Sequence, residues 1–265
     1  MTAPPPQAVV FDLDDTLFLE RDYVRSGFRA VSEHLRRAMG RGDDFAGWMW
    51  AEFLAGRRER MFDRLVEHFG LGPGAMLPRC PRKHVFRRPP AGGHASANDA
   101  EAWHPAVGEL VEVYRNHRPK ISPCPGVVEV LDALRRAGWR VGLLTDGFLP
   151  AQQYKVDALG LAGRFDAIVF TESLGRDAWK PSPRGFERME EMLGVPPEAC
   201  AYVADNPAKD FVAGNRRGWM TLQWRREGQV HADNPAPPGG EPQHVVRTDA
   251  ELLDALGVSR SSPSK

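Results

Sequence analysis

The chain is poor in cysteine and carries no excess charge of either sign. Only 3 of its 265 residues are cysteine, and they form no CxxC pair. An odd number of widely spaced cysteines predicts free thiols in a reducing compartment. Lys and Arg together number 35, as do Asp and Glu. This balance argues against nucleic acid or an anionic membrane as the partner.

Long apolar runs are also absent from the sequence. No stretch approaches the roughly 20 apolar residues that a membrane span requires. Residues Met1–Gln7 lack the basic and apolar regions of a signal peptide. We therefore expect a cytoplasmic protein without a membrane segment. Its length predicts one to two domains with a sizeable core.

A short apolar run near the start of the chain ends abruptly in carboxylates. Ala8–Phe11 has the composition of a buried parallel strand. Asp12 and Asp14 are two residues apart, so both should project to one side just beyond the strand, where open α/β sheets bind ligands. Two such carboxylates repel unless a cation or a proton lies between them. They indicate a nucleophile and an acid/base beside Mg²⁺, or simply acidic residues at a helix N-terminus.

The spacing of apolar residues divides the chain into two kinds of segment. Residues 20–118 show helical spacing and predict an all-helical insertion. Further along, strands alternate with helices, which predicts a parallel sheet covered by helices on both faces. The predicted strands are Arg140–Thr145, Asp166–Thr171, Ala201–Ala204, Trp219–Trp224 and His244–Arg247. We predict an α/β core of residues 1–19 and 119–257, with a polar tail at 258–265.

The Asp-x-Asp-x-Thr pattern that begins at Asp12 resembles motif I of the haloacid dehalogenase-like (HAD) hydrolases. The other motifs of that family follow in its order. Thr145 ends an apolar strand, Lys180 lies in a Trp-Lys-Pro-Ser-Pro segment, and Asp205 and Asp210 flank Asn-Pro-Ala-Lys. The resemblance covers about residues 8–225. It implies a doubly wound, Rossmann-like core, and it implies that the helical insertion is a C1-type cap domain.

The resemblance also implies a role for each motif residue. Asp12 would be the nucleophile that forms an aspartyl phosphate, and Asp14 would be the general acid/base. Thr145 and Lys180 would hold the phosphoryl oxygens. The implied Mg²⁺ ligands are the side chains of Asp12 and Asp205, the backbone carbonyl of Asp14, and Asp210 directly, through water or in an outer shell.

Three features leave alternatives open. Arg21 and Arg25, just after motif I, either contact the substrate beyond its phosphate or are surface residues. The segment Arg79–His94 contains five Lys and Arg residues and no acidic residue, which fits either a solvated loop or an anion-attracting lip. Asp146 follows Thr145 where the family commonly has Asn. Its carboxylate should be turned away from a bound phosphate or paired.

The sequence therefore predicts a Mg²⁺-dependent phosphatase that acts on a small soluble phosphomonoester such as a sugar phosphate or a nucleotide. A phosphomutase would also keep Asp14 and is the first alternative. A 2-haloacid dehalogenase of the same fold does not need Asp14. A non-catalytic binding protein on this fold would usually have lost one of the charged motif residues. The oligomeric state and the particular substrate are not predicted.

Overall fold

The computed structural model describes residues 7–71 and 105–258. The chain divides into two compact units, one with the residues up to Val24 and from Arg118 onward, the other with Arg25–His117. The basic segment Arg79–His94 and residues 259–265 of the predicted tail lie outside the described residues. No helix in the described part of the chain has the length and apolar character that crossing a membrane demands.

The first unit contains a parallel sheet, which in the described residues has six strands. The strands are β1 (Ala8–Phe11), β2 (Arg140–Thr145), β3 (Ala167–Phe170), β4 (Cys200–Ala204), β5 (Met220–Trp224) and β6 (His244–Val246). Their spatial order is β3-β2-β1-β4-β5-β6, and every neighbouring pair is parallel. The predicted fold class, a doubly wound parallel sheet with an added set of helices, is confirmed.

Helices surround the sheet and build the second unit. They are α1 (Glu20–Met39), α2 (Phe45–Leu54), α3 (Met61–His68), α4 (Pro105–Asn116), α5 (Val127–Arg136), α6 (Leu149–Leu159), α7 (Arg184–Leu193), α8 (Phe211–Arg217) and α9 (Asp249–Ala255). Local sequence explains several of their ends. Asp44 accepts a hydrogen bond from Gly47 N and starts α2. Gly160 and Gly194 end α6 and α7 with φ of 65° and 62°, where glycine carries no Cβ penalty.

Strand β1 lies in the middle of the sheet and determines where the site forms. All four of its residues are buried, and Phe11 is in register with Leu143 of β2 and Val203 of β4. The next residue, Asp12, donates its backbone N–H to Val203 O at 2.9 Å. The strand order reverses between β1 and β4, so a crevice opens at their carboxyl ends.

The second unit is a helical bundle with an aromatic core. Phe28 of α1 packs against Phe53 of α2 and Tyr114 of α4, with ring centroids 6.4 and 6.2 Å apart. Gly27 allows α4 to approach, because a Cβ at this position would come within 2.3 Å of Tyr114 Cε2. Phe28 and Phe53 are buried in the core of this unit, and Tyr114 is half-buried. The role of this unit as a cap stays a prediction from the resemblance.

Candidate active site

Three carboxylates meet at the carboxyl ends of β1 and β4. Asp12 follows β1, Asp205 follows β4, and Asp210 immediately precedes α8. Each contributes one oxygen that lies within 4.8 Å of the other two. All three residues are buried, with exposed fractions of 4, 2 and 0%. Asp210 Oδ2 accepts from Asn206 N at 3.0 Å rather than from the first turn of α8, so the side chain faces the cluster instead of capping the helix.

Lys180 inserts its ammonium group among these carboxylates. Its Nζ lies 2.5 Å from Asp12 Oδ1 and 2.7 Å from Asp210 Oδ1. It also donates to Tyr202 Oη at 2.8 Å. Burial by itself would lower the pKa of Lys180, but Asp12 and Asp210 outweigh it and hold this pKa well above its ordinary value. Lys180 is therefore a permanent positive charge in the cluster.

The cluster still holds an excess of negative charge. Burial raises the pKa of Asp12 to about 7, against the lowering effect of Lys180. Burial and the neighbouring Asp210 and Asp12 raise the pKa of Asp205 well above its ordinary value. When all three carboxyl groups are ionised, they and the one ammonium leave two negative charges, and the buried Asp205 Oδ2 has no hydrogen-bond partner among the described residues. A set of buried oxygen donors with this charge fits Mg²⁺.

The raised pKa of Asp12 predicts how the metal-free protein responds to pH. A carboxyl whose pKa is higher in the folded state stabilises the fold below its unfolded pKa, and this contribution is lost as pH rises through the folded value. In excess chelator, we therefore expect the Tm to fall between about pH 4 and pH 7. For a chain of this size each kcal/mol corresponds to about 2–4 °C.

The measurement is calorimetry in chelator across this pH range, repeated with Mg²⁺. Added Mg²⁺ should raise the Tm more at pH 8 than at pH 5, because the ion binds ionised carboxylates. Burial also raises the pKa of Asp15, to about 6, which acts in the same direction. Asp12→Asn is the matched variant and should reduce the dependence without removing it, because the contributions of Asp15 and Asp205 remain. A Tm that stays constant or rises toward pH 8 would contradict the charge excess.

Asp14, the second carboxylate of motif I, is held by helix α6. Its Oδ1 lies 2.6 Å from Lys155 Nζ, and its Oδ2 accepts from Gln152 Nε2 at 3.0 Å. Both α6 residues are buried, on the helix face that also holds Ala151 and Leu159. Sequence reasoning missed them. The available signal was a pair of polar side chains on an otherwise apolar helix face.

Residues around Thr145 link the ends of β2 and β3 to Lys180. Thr145 ends β2 and its Oγ1 donates to Asp146 O at 3.4 Å. Asp146 Oδ1 accepts from Thr171 Oγ1 at 2.8 Å and from Lys180 N at 3.3 Å. Its Oδ2 lies 3.5 Å from Lys209 Nζ. Asp146 is thus a paired carboxylate that holds the backbone of Lys180, and Lys209 is a second cation that the sequence did not single out.

Asp15 forms a turn that secures motif I to the loop after β5. Its φ is 56°, a conformation that few non-glycine residues adopt. Its carboxylate accepts from Glu20 N at 2.7 Å and from Val230 N at 2.6 Å. Its backbone carbonyl accepts from Gln229 Nε2 at 2.6 Å. These bonds stabilise the turn that places Asp12 and Asp14, and sequence reasoning did not predict them.

The two arginines after motif I belong to different units. Arg25 is exposed, and its guanidinium lies 5.4 Å from the ring centroid of Trp50 within the second unit. Arg21 belongs to the first unit. Its guanidinium lies close to Gly228, since a Cβ built on that glycine would be 3.2 Å from Arg21 Nη1. The contacts of the carboxylate cluster described above include neither side chain. Their contact with substrate stays a prediction.

The fold and the cluster together define an α/β protein with a buried acidic site at the switch point of its sheet. The family model of the haloacid dehalogenase-like hydrolases matches residues 6–218. The chain belongs to this family and is a hydrolase, as the motif order predicts.

Curated relatives and solved structures extend the comparison. The glyceraldehyde 3-phosphate phosphatase of Methanopyrus kandleri is 27% identical over 94% of this chain and 97% of its own length. The phosphoserine phosphatase of Thermus thermophilus is 29% identical over 87% of this chain and 92% of its own. The magnesium-bound structure of the HAD-hydrolase YfnB from Bacillus subtilis shares the fold, with a TM-score of 0.64 and 17% identity over 96% of this chain and all of that one. L-2-haloacid dehalogenases also share the fold.

Proposed function

We propose that this chain is a Mg²⁺-dependent phosphatase that hydrolyses a small phosphomonoester through an aspartyl phosphate on Asp12. The observation that carries the proposal is the meeting of Asp12, Asp205, Asp210 and Lys180 in one buried cluster. A second carboxylate, Asp14, lies two residues after the nucleophile. The names of the two relatives, which are phosphatases of small metabolites, support the same reaction class.

The first half of the reaction transfers the phosphoryl group to the protein. An Asp12 oxygen attacks phosphorus, the bond from phosphorus to the ester oxygen breaks, and Asp14 gives a proton to the departing alcohol. Lys180 and Thr145 hold the phosphoryl oxygens and stabilise their charge. Asp12, Asp205 and Asp210 would hold Mg²⁺, which supplies positive charge for the same purpose when it is bound.

The second half returns the protein to its starting state. Asp14 takes a proton from water, the water oxygen attacks phosphorus, and the bond to Asp12 breaks. Inorganic phosphate leaves, and Asp12 is again a carboxylate. Asp14 thus acts once as an acid and once as a base, so the proton count balances over the cycle.

Two enzymes of the same family are the alternatives. A dehalogenase displaces a halide, which needs no proton, so a carboxylate at Asp14 would have no role in it. A phosphomutase would transfer the phosphoryl group back to an alcohol. A panel of phosphomonoesters together with 2-haloacids separates these outcomes, with release of inorganic phosphate, halide or an isomeric phosphate as the measured product. The panel should begin with three-carbon phosphates, the class named for the two relatives.

Metal removal provides a direct test of the proposed cofactor. We expect excess chelator to abolish phosphate release and Mg²⁺ to restore it. Ca²⁺ should support the reaction poorly, because it takes 6–8 ligands at longer distances and disturbs in-line attack. Asp205→Asn should raise the Mg²⁺ concentration needed for half-maximal activity. Full activity in excess chelator would show that the metal assignment is wrong.

A further inference from the structure

Two side chains of α6 clamp the acid/base carboxylate from one side. Lys155 Nζ lies 2.6 Å from one oxygen of Asp14, and Gln152 Nε2 donates to the other at 3.0 Å. We call Gln152 and Lys155 the α6 clamp. A carboxylate accepts about four hydrogen bonds, so one further position on each oxygen stays available for proton transfer. The clamp therefore restricts the orientation of Asp14 without using up its capacity for acid/base chemistry.

Each clamp residue is itself held in place by other parts of the first unit. The Lys155 side chain is 8% exposed, and its ammonium lies 4.2 Å from the ring centroid of Tyr23. The Gln152 amide also donates to Asp146 O at 2.5 Å. A buried ammonium and a buried amide carry a cost unless they are paired. Asp14 is the carboxylate that pairs both of them.

The residue after Asp146 makes room for this arrangement. Gly147 has φ of 130°, which disfavours any residue with a Cβ. A Cβ at Gly147 would lie 2.4 Å from Gln152 Nε2, too close for the amide to stay where it is. The turn after β2 therefore leaves open the space through which Gln152 reaches Asp14.

We propose that Gln152 and Lys155 are positioning residues that hold Asp14 in the orientation from which it exchanges protons with the leaving group and with water. The inference rests on the proposed function, since it assigns a task to residues that act through the proposed acid/base. The clamp couples the end of β2 to motif I, so the alignment of Asp14 depends on a helix that contributes no other group to the chemistry.

The test compares Lys155→Met and Gln152→Met with Gln153→Met, an exposed neighbour on α6. A misplacement of about 1 Å in a catalytic group can cost about 100-fold. We expect each clamp variant to lower kcat for an alkyl phosphate by about 10- to 100-fold, with little change in KM. Gln153→Met should behave as the wild type. Lys155→Arg, which keeps the charge, should recover part of the lost rate.

Two further measurements distinguish positioning of Asp14 from a purely structural effect. One changes the leaving group of the substrate, and the other repeats the substitution in an Asp14→Asn background. With p-nitrophenyl phosphate, whose leaving group needs little protonation, the first step should survive and phosphoenzyme should accumulate in acid-quenched samples of Lys155→Met. In an Asp14→Asn background, Lys155→Met should cause no further loss of the residual rate, because the clamp acts through Asp14. Circular dichroism and the Tm establish that each variant is folded.

Two results would overturn the inference. One is a folded Lys155→Met or Gln152→Met with the wild-type kcat for alkyl phosphates. The other is a further loss in the Asp14→Asn background. If Lys155→Met does not fold, the same measurements on Gln152→Met test the inference. Either result would leave Mg²⁺-dependent phosphatase activity of the wild type intact, whereas absence of that activity would refute the proposed function itself.

Discussion

Asp12→Asn should abolish turnover without any trace of a phosphoenzyme, whereas Asp14→Asn should accumulate one. The two carboxylates act at different times. Asp12 must attack before an intermediate exists, and an amide is a very poor nucleophile. Asp14 is needed to protonate the alcohol and later to activate water, and such help is typically worth about 10²–10⁴-fold.

The choice of substrate makes this difference visible. Asp14→Asn should be nearly inactive with alkyl phosphates, since their leaving alcohols need a proton. With p-nitrophenyl phosphate, phosphorylation of Asp12 should survive better than hydrolysis of the product. Intact-protein mass spectrometry after acid quench should then show an added phosphoryl group on the peptide that contains Asp12.

The matched control is Asp22→Asn, which changes an exposed carboxylate of α1 and should leave both steps intact. Wild-type hydrolysis of alkyl phosphates by Asp14→Asn would show that Asp14 is not the acid/base. An adduct on another peptide would show that Asp12 is not the nucleophile, and the proposed mechanism would fail with it.

Lys180→Met should cost both activity and stability. Its ammonium is the buried partner of Asp12 and Asp210, at 2.5 and 2.7 Å, and its side chain is 1% exposed. Removing one partner of a buried ion pair typically costs about 3–5 kcal/mol, because the remaining charge stays desolvated. Loss of one group that stabilises transition-state charge typically lowers kcat by about 10²–10³-fold.

Urea unfolding in chelator measures the stability term, and phosphate release with saturating Mg²⁺ measures the activity term. Lys209→Met is the comparison variant, since its side chain is 38% exposed and its Nζ lies 3.5 Å from Asp146 Oδ2. Asp146 keeps its hydrogen bonds from Thr171 Oγ1 and Lys180 N, and ion pairs with a solvent-accessible partner contribute about 0–1 kcal/mol, so this variant should lose less stability than Lys180→Met. Equal stability of Lys180→Met and the wild type would contradict the charge balance described for the cluster.

Local patterns in the sequence predicted most of the first unit. The apolar run before Asp12 and the alternation of strands and helices after residue 119 predicted the strands within one or two residues. Such patterns succeed because burial on both faces of a parallel sheet demands continuous apolar strands. The resemblance implied that Asp12 and Asp205 bind one metal ion, and the structure brings their carboxylates together.

The pairing of side chains around these motifs was decided only by the tertiary structure. Lys155 meets Asp14 across 141 positions of the chain, and Val230 meets Asp15 across 215. No spacing rule connects residues so far apart, and one lysine or glutamine on a helix resembles any other. The partners of Asp146 show the same limit, since the sequence indicated that this carboxylate needed pairing but did not show with which groups.

The sequence by itself determined the fold class, the positions of the strands along the chain and the set of carboxylates that meet in the cluster. Each of these follows from local composition and from the resemblance that the motifs carry. The tertiary structure decided which charges are buried together and which oxygen each donor reaches. The physical reason is that burial makes an unpaired charge costly and shifts its pKa. Burial is a property of the packed elements rather than of any one segment.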